Sequence, residues 1–228
     1  AKLAAEKGVD TAAIAGTVAT LTAAYWAPGV AVYAAVGGSV VGIALAAAFT
    51  EDVAATDRRL GGALGAYVYC ATLFGGLLAL VAATGDERMR TYPNQAAWML
   101  FPMAVVWAGD TGAYFAGRAF GRHKLAPRLS PKKTWEGAIG GAIASVLGGL
   151  GIAAWLLPHL SPLVVVALAL PGALLGQAGD LVESGLKRAT GVKDSGRIIY
   201  GHGGLLDRVD ALVFAAPYFA IAKTLFGA

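Results

Sequence analysis

Carboxylates at the mouths of apolar segments are the first feature of this chain that calls for chemistry. Asp180, Glu183, Ser184 and Lys187 fall at i, i+3, i+4 and i+7, so a helix continuing past Asp180 lines them along one face. Asp207 and Asp210, at i and i+3, share a face in the same way at the start of the last apolar segment. Two such helix ends can converge on one divalent cation. Hard oxygen donors, a single cysteine and three histidines favour Mg2+ over zinc. The cations around them, Lys187, Arg188, Lys193, Arg197 and Arg208, suit phosphate oxygens. Acid for metal beside base for phosphate is what phosphoryl transfer requires, because catalysis there is mostly positioning and charge neutralisation.

Two further groups belong to the same chemistry. Asp110 lies inside an apolar run, where an ionisable side chain marks function by default. Its structural alternative is to cap a helix break at "AGDTG", with Thr111 sharing the work. In "LAPRLSPKKTWEGA", Ser130 before Pro131 is expected to start a helix with Lys132 and Lys133 near its first turn. Free N–H groups and paired lysines there would hold an anion. Simpler roles stand beside each of these. The lysines could anchor a helix at a membrane surface, and Glu183–Lys187 could be an ordinary i,i+4 pair. Asp207 could only cap a helix, His202 could only bond a turn, and Asp194 could pair with a neighbouring cation.

The elements that must position these groups are written in the composition. The chain is 57% hydrophobic and 14% charged, where soluble domains carry about 25% charged residues. Seven apolar stretches are expected as helices: Thr11–Trp26, Val30–Phe49, Leu60–Ala83, Gln95–Gly117, Gly137–Leu157, Pro162–Gly179 and Val209–Ala228. Most approach the roughly 20 residues that cross a bilayer, and in lipid a spanning backbone must satisfy its own hydrogen bonds. The class is therefore all-α, a polytopic integral membrane protein of about seven spans with two long loops, read as one membrane-embedded domain over 1–228. Most of the 32 glycines suit close helix packing, and Cys70 is a packing residue.

Charge sets the orientation. Of 18 Lys/Arg, fifteen fall in the N-terminal segment and in 50–59, 118–136 and 180–208, which seven spans place on one side. Only Arg88 and Arg90 lie in the loops of the other. The basic side is expected to face the cytoplasm, as in a multi-pass protein of the cell (inner) membrane. Such a face suits anionic headgroups or phosphorylated ligands. Nucleic acid is not an expected partner, since the chain has no recognised binding module and few aromatics among its basic residues.

"SGLKRATGVKDSGRIIYGHGGLLDRVD", Ser184–Asp210, resembles the signature of phosphatidate cytidylyltransferases, also called CDP-diacylglycerol synthases. "GDTGAYFAGRAFGRHKLAPRLSPKKTWEGA" and "GDLVES" resemble the family's neighbouring stretches, so the motif-bearing region runs from about Trp107 to Asp210. The resemblance is looser over the N-terminal spans, and it implies further spans ahead of Ala1. Tyr200 departs from the family pattern, which usually has proline or glycine just before an x-histidine-glycine-glycine element, x being Gly201 here. The resemblance implies cytidylyl transfer from CTP to phosphatidate with Mg2+, and K+ as the open second cation. It also implies membrane lipids as surroundings, with a homodimer left open. Carried onto this sequence, Asp180 and Asp207 lead as metal ligands and catalytic residues. Asp210, Glu183, Ser184 and Asp110 stand close behind as metal candidates, and Lys193 and Asp194 are the motif's catalytic lysine–aspartate pair. Ser130, Lys132, Lys133, Lys187, Arg188, His202 and Arg208 are the candidates for the two substrates. The competing class is a cation-coupled transporter with Asp110, Asp180 and Asp207 along an ion path.

Overall fold

The computed structural model describes residues 2–26, 30–48, 53–81, 92–189 and 206–226. Among them run seven helices and one two-stranded hairpin. In chain order these are α1 (Lys2–Trp26), α2 (Val30–Ala48), α3 (Val53–Val81), α4 (Tyr92–Phe120), β1 (Lys124–Ala126), β2 (Ser130–Thr134), α5 (Trp135–Leu156), α6 (Pro162–Ala189) and α7 (Leu206–Phe226). Each of the seven expected apolar stretches falls, over its described residues, in its own helix, with Leu157 as the C-cap of α5. Four segments are long and apolar enough to cross a membrane: Leu60–Leu80, Trp135–Leu156, Pro162–Ala189 and Val209–Phe226. Shorter apolar segments, Gly8–Ala24 and Ala35–Ala47, lie in α1 and α2.

The chain divides into two units, Ala1–Ala79 and Leu80–Ala228. In the first, α1 and α2 close on small residues: a Cβ on Gly16 would stand 2.7 Å from the Ser39 Cβ. Ser39 Oγ in turn donates to the Gly16 carbonyl at 3.2 Å. Thr20 Oγ1 and the Tyr67 hydroxyl meet at 2.8 Å, a buried polar link that spares both groups from facing lipid unpaired.

The second unit is an antiparallel stack of α4, α5, α6 and α7. Its pairing follows from where side chains are missing. On α5, Gly137, Gly141, Ser145, Gly149 and Ala153 recur every fourth residue and are buried. Ile139, Ile143 and Leu147, between them, are exposed. Small residues inside and large apolar residues outside is the reverse of a water-soluble helix, and it fits packing in lipid, where close backbone approach drives association. A Cβ on Gly137 would lie 2.9 Å from the Ala113 carbonyl oxygen, and one on Gly141 would lie 2.9 Å from that of Gly109. α6 meets α7 in the same manner, with Gly172 against the Phe219 ring and Gly179 against Phe214. At the end remote from the hairpin, Lys223 is fully buried and its Nζ donates to the Leu80 carbonyl at 2.8 Å.

Two expectations are corrected here. No helix begins at Ser130. Residues 130–134 form a strand paired antiparallel with β1, Ala126 facing Ser130 and Lys124 facing Thr134. The helix starts at Trp135, because Thr134 is extended and its hydroxyl accepts from the Gly137 N–H at 3.2 Å, as an N-cap does. Nor does α4 break at "AGDTG": it runs unbroken from Tyr92 to Phe120 through Asp110, and Thr111 Oγ1 donates back to the Trp107 carbonyl. The first of the two expected long loops is thus mostly hairpin. The second is shortened, since α6 continues past Asp180 to Ala189.

Candidate functional site

The C-terminal end of α4, the N-terminal end of α5, the C-terminal end of α6 and the hairpin meet around a cavity of about 550 Å3. Asp110, Tyr114 and Arg118 line it from successive turns of α4, and Lys132, Lys133 and Thr134 line it from β2. Gln177 and Asp180 enter from α6. Its remaining wall is small and apolar: Ala113, Gly117, Leu125, Gly137 and Ala138.

A clamp centred on Glu136 fastens the hairpin over this cavity. Glu136, in the first turn of α5, accepts from the backbone N–H of Arg122 at 3.1 Å and of His123 at 3.2 Å, and its Oε1 lies 2.6 Å from His123 Nδ1. The Trp135 N–H closes the ring on the His123 carbonyl at 2.9 Å. A short hairpin has little stability of its own, so this clamp determines where Lys132 and Lys133 stand. Lys133 Nζ is 2.5 Å from Asp180 Oδ2. Asp110 lies close enough to both Lys133 and Asp180 to interact electrostatically with them. The expected meeting of the lysine pair with the α6 carboxylate therefore occurs, though from a strand rather than a helix start.

Behind Asp180 lies a second group. Ser184 Oγ approaches Asp180 Oδ1 at 3.5 Å. Glu183 is 2% exposed, and its Oε2 accepts from Lys187 Nζ at 2.7 Å. This is the i,i+4 pair allowed by the spacing. The Asp210 carboxyl meets that of Glu183 and interacts with Asp180, while its own Oδ1 accepts from the Ala211 N–H at 2.8 Å. Glu183 Oε1 is buried with no hydrogen-bond donor among the described residues. Two carboxyl groups in contact repel unless a proton or a cation stands between them, and a buried oxygen without a donor is costly. The donor set of Asp180, Glu183 and Asp210, all hard oxygens, fits Mg2+ chemically. Among the described residues no three such groups already stand in a metal-holding arrangement.

The other expected site residues are placed as follows. Ser130 pairs with Ala126 in the hairpin, and Arg188 is exposed in the last turn of α6; neither lines the cavity. Asp207 and Arg208 fall in the first turns of α7, with their side chains outside the described residues. Lys193, Asp194, His202 and the variant position Tyr200 also lie outside them. Sequence reasoning passed over Tyr114, Arg118, Thr134 and Gln177 as site residues. A signal existed for Arg118, which is spaced i, i+4 and i+8 from Tyr114 and Asp110. None existed for Gln177, whose Nε2 donates to the Ala138 carbonyl of α5 at 3.0 Å across the helix interface.

Comparison with known proteins gives named relatives and a family. Over 149 residues the chain is 50% identical to a protein of Brucella suis named phosphatidate cytidylyltransferase, covering 65% of this chain and 53% of that protein. A Staphylococcus epidermidis protein of the same name is 47% identical over 147 residues, with coverages of 63% and 56%. One from Haemophilus influenzae is 44% identical over 160 residues, with coverages of 64% and 54%. The chain thus spans about half the length of the curated relatives it matches. The sequence profile of the cytidylyltransferase family matches residues 2–226, taking in every helix and the hairpin that frame the cavity. With a match of that extent, the chain belongs to the cytidylyltransferase family.

Proposed function

We propose that this chain carries the site at which a cytidylyl group passes from CTP to phosphatidate, giving CDP-diacylglycerol and pyrophosphate. The observation that carries the reading is the cavity itself, where two carboxylates and a lysine pair meet at one end of long apolar helices. A soluble nucleotide and a lipid headgroup can meet only at such a boundary. The charge asymmetry supports a cytoplasmic position for that end, at the inner membrane. Transport, the competing reading, gains nothing from the family match.

In the reaction, a phosphate oxygen of the lipid attacks the α-phosphorus of CTP. A P–O bond forms there as the bond to the β-phosphate oxygen breaks, and pyrophosphate departs. The lipid phosphate is itself the nucleophile, so no covalent enzyme intermediate is required. Lys132 and Lys133, held in place by the Glu136 clamp, offset the triphosphate charge and align the α-phosphorus. The apolar wall of Ala113, Gly117, Leu125 and Ala138 limits water, which would otherwise compete as nucleophile. Asp180, Glu183 and Asp210 would hold Mg2+, with Asp207 carried over from the family motif. When bound, the cation neutralises charge on the reacting phosphates. Lys193, His202 and Arg208 complete the substrate contacts on the same motif-based footing, with Asp194 as the catalytic partner of Lys193.

The test is direct. The detergent-solubilised protein, given labelled CTP and phosphatidate micelles, is expected to form lipid-soluble CDP-diacylglycerol with Mg2+ and none with EDTA. Asp180→Asn is expected to lower turnover by about two orders of magnitude or more, on the scale of removing one preorganised electrostatic group. Folded protein that makes no labelled lipid would overturn the reading.

A further inference from the structure

Resting on that reading, we infer that Arg118, steadied by Tyr114, receives the phosphate of the lipid substrate, leaving the hairpin lysines to the nucleotide. The first argument is charge accounting. Lys133 is paired with Asp180 and Lys187 with buried Glu183. Arg118 and Lys132 also line the cavity, and among the described residues neither forms an ion pair with a carboxylate. Among the described cavity-lining residues, these two cations are therefore the ones whose charge no carboxylate already offsets.

The second argument is their difference in place. Lys132 lies on β2, next to the lysine that reaches Asp180. Arg118 is in the last turn of α4, two turns beyond Asp110 along the cavity-lining face. The aromatic residues around it are exposed: Tyr114 at 58%, Phe115 at 62% and Phe120 at 70%. An arginine amid exposed aromatics at the end of an apolar helix sits at the headgroup level of a bilayer. That is the depth at which a lipid phosphate arrives and at which its chains can stay in the membrane.

The third argument is geometry. Arg118 Nη1 donates to the Tyr114 hydroxyl at 3.0 Å. Helical side chains lean toward the N-terminus, so this bond draws the guanidinium back over the preceding turn, toward Asp110 and the cavity. Among the described residues no other acceptor holds the guanidinium, so its remaining N–H donors can form a planar fork on a phosphate monoester, which a lysine cannot reproduce. The cavity that Arg118 and Asp180 both line has the small residues Ala113, Gly117 and Ala138 in its wall, which leave room for a glycerol backbone.

The shared chemistry is a phosphate, and the experiment separates its two sources. Initial rates are measured in mixed micelles with phosphatidate and CTP varied independently. Arg118→Ala is expected to raise KM for phosphatidate by about tenfold or more, the scale of hydrogen bonds to a charged group, with KM for CTP essentially unchanged. Tyr114→Phe is expected to raise the phosphatidate KM by about threefold, as for one neutral hydrogen bond. Lys132→Ala is expected to raise the CTP KM instead. Alongside, melting is followed by thermal shift with phosphatidate, phosphatidylcholine or CTP added. Wild type is expected to be stabilised by phosphatidate and by CTP, and Arg118→Ala by CTP alone. Should Arg118→Ala fail to fold, Arg118→Lys and Tyr114→Phe carry the same comparison. A CTP KM that rises as much as the phosphatidate KM overturns the inference, as does a phosphatidate shift retained without Arg118. Wild-type protein that forms no CDP-diacylglycerol, yet loses its phosphatidate shift on Arg118→Ala, overturns the proposed reaction and leaves the lipid-phosphate site standing.

Discussion

Replacing Gly141 with alanine tests whether the α4–α5 contact is what holds the cavity together. The added Cβ would stand 2.9 Å from the Gly109 carbonyl oxygen, 3.0 Å from the Ala113 Cβ and 3.2 Å from Gln177 Nε2. Carbon contacts are optimal at about 3.5–4.0 Å, so α4 and α5 must part by roughly half an ångström. Overpacking of this kind costs about 1–3 kcal/mol. It is partly offset by the helix preference of alanine over glycine, about 1 kcal/mol. Gly151→Ala, on the same helix, supplies the control: its Cβ would meet nothing within 4 Å. Helix preference is common to both variants, so the difference between them isolates the clash at about 1–3 kcal/mol. At about 2–4 °C per kcal/mol for a chain of this size, Gly141→Ala is expected to melt several degrees below Gly151→Ala in detergent. Equal melting temperatures, or a stabilised Gly141→Ala, would refute the close-packed seam. The added Cβ also meets Gln177, which lines the cavity, so turnover is expected to fall in that variant and not in Gly151→Ala.

Two further outcomes follow from the site. Glu136→Ala removes the acceptor shared by the Arg122 and His123 N–H groups and is expected to raise KM for CTP several-fold, whereas Glu136→Gln, which still offers a carbonyl oxygen to both, recovers part of it; steady-state rates at varied CTP decide. Lys187→Met strips Glu183, 2% exposed, of its ion-pair partner and is expected to cost about 3 kcal/mol, while Arg188→Ala, one residue on and exposed, changes stability by under about 0.5 kcal/mol. Thermal melting of the two variants side by side separates a structural lysine from a surface arginine.

The parts of this protein legible in its sequence are those governed by local periodicity and composition. Seven apolar stretches became seven helices, because a backbone in lipid has to satisfy its hydrogen bonds within each segment. The face carrying Asp180, Glu183, Ser184 and Lys187 was legible for the same reason: helical spacing is set by the helix alone. The hairpin was not legible. Its strands are three and five residues long and carry no alternating apolar pattern, and its position rests on Glu136, which acts from the next helix, and on Thr134, which caps that helix.

The site was legible as a list of residue types and illegible as a set of partners. Composition and motif assembled the acids and bases at one membrane face. Only the tertiary structure decided that Lys133 meets Asp180, that Lys187 is committed to Glu183, and that Tyr114, Arg118 and Gln177 belong to the cavity at all. Charge and hydropathy depend on each residue by itself. Pairing depends on which helix faces approach, and that was settled by glycines on α4 and α5 whose missing side chains let the backbones close.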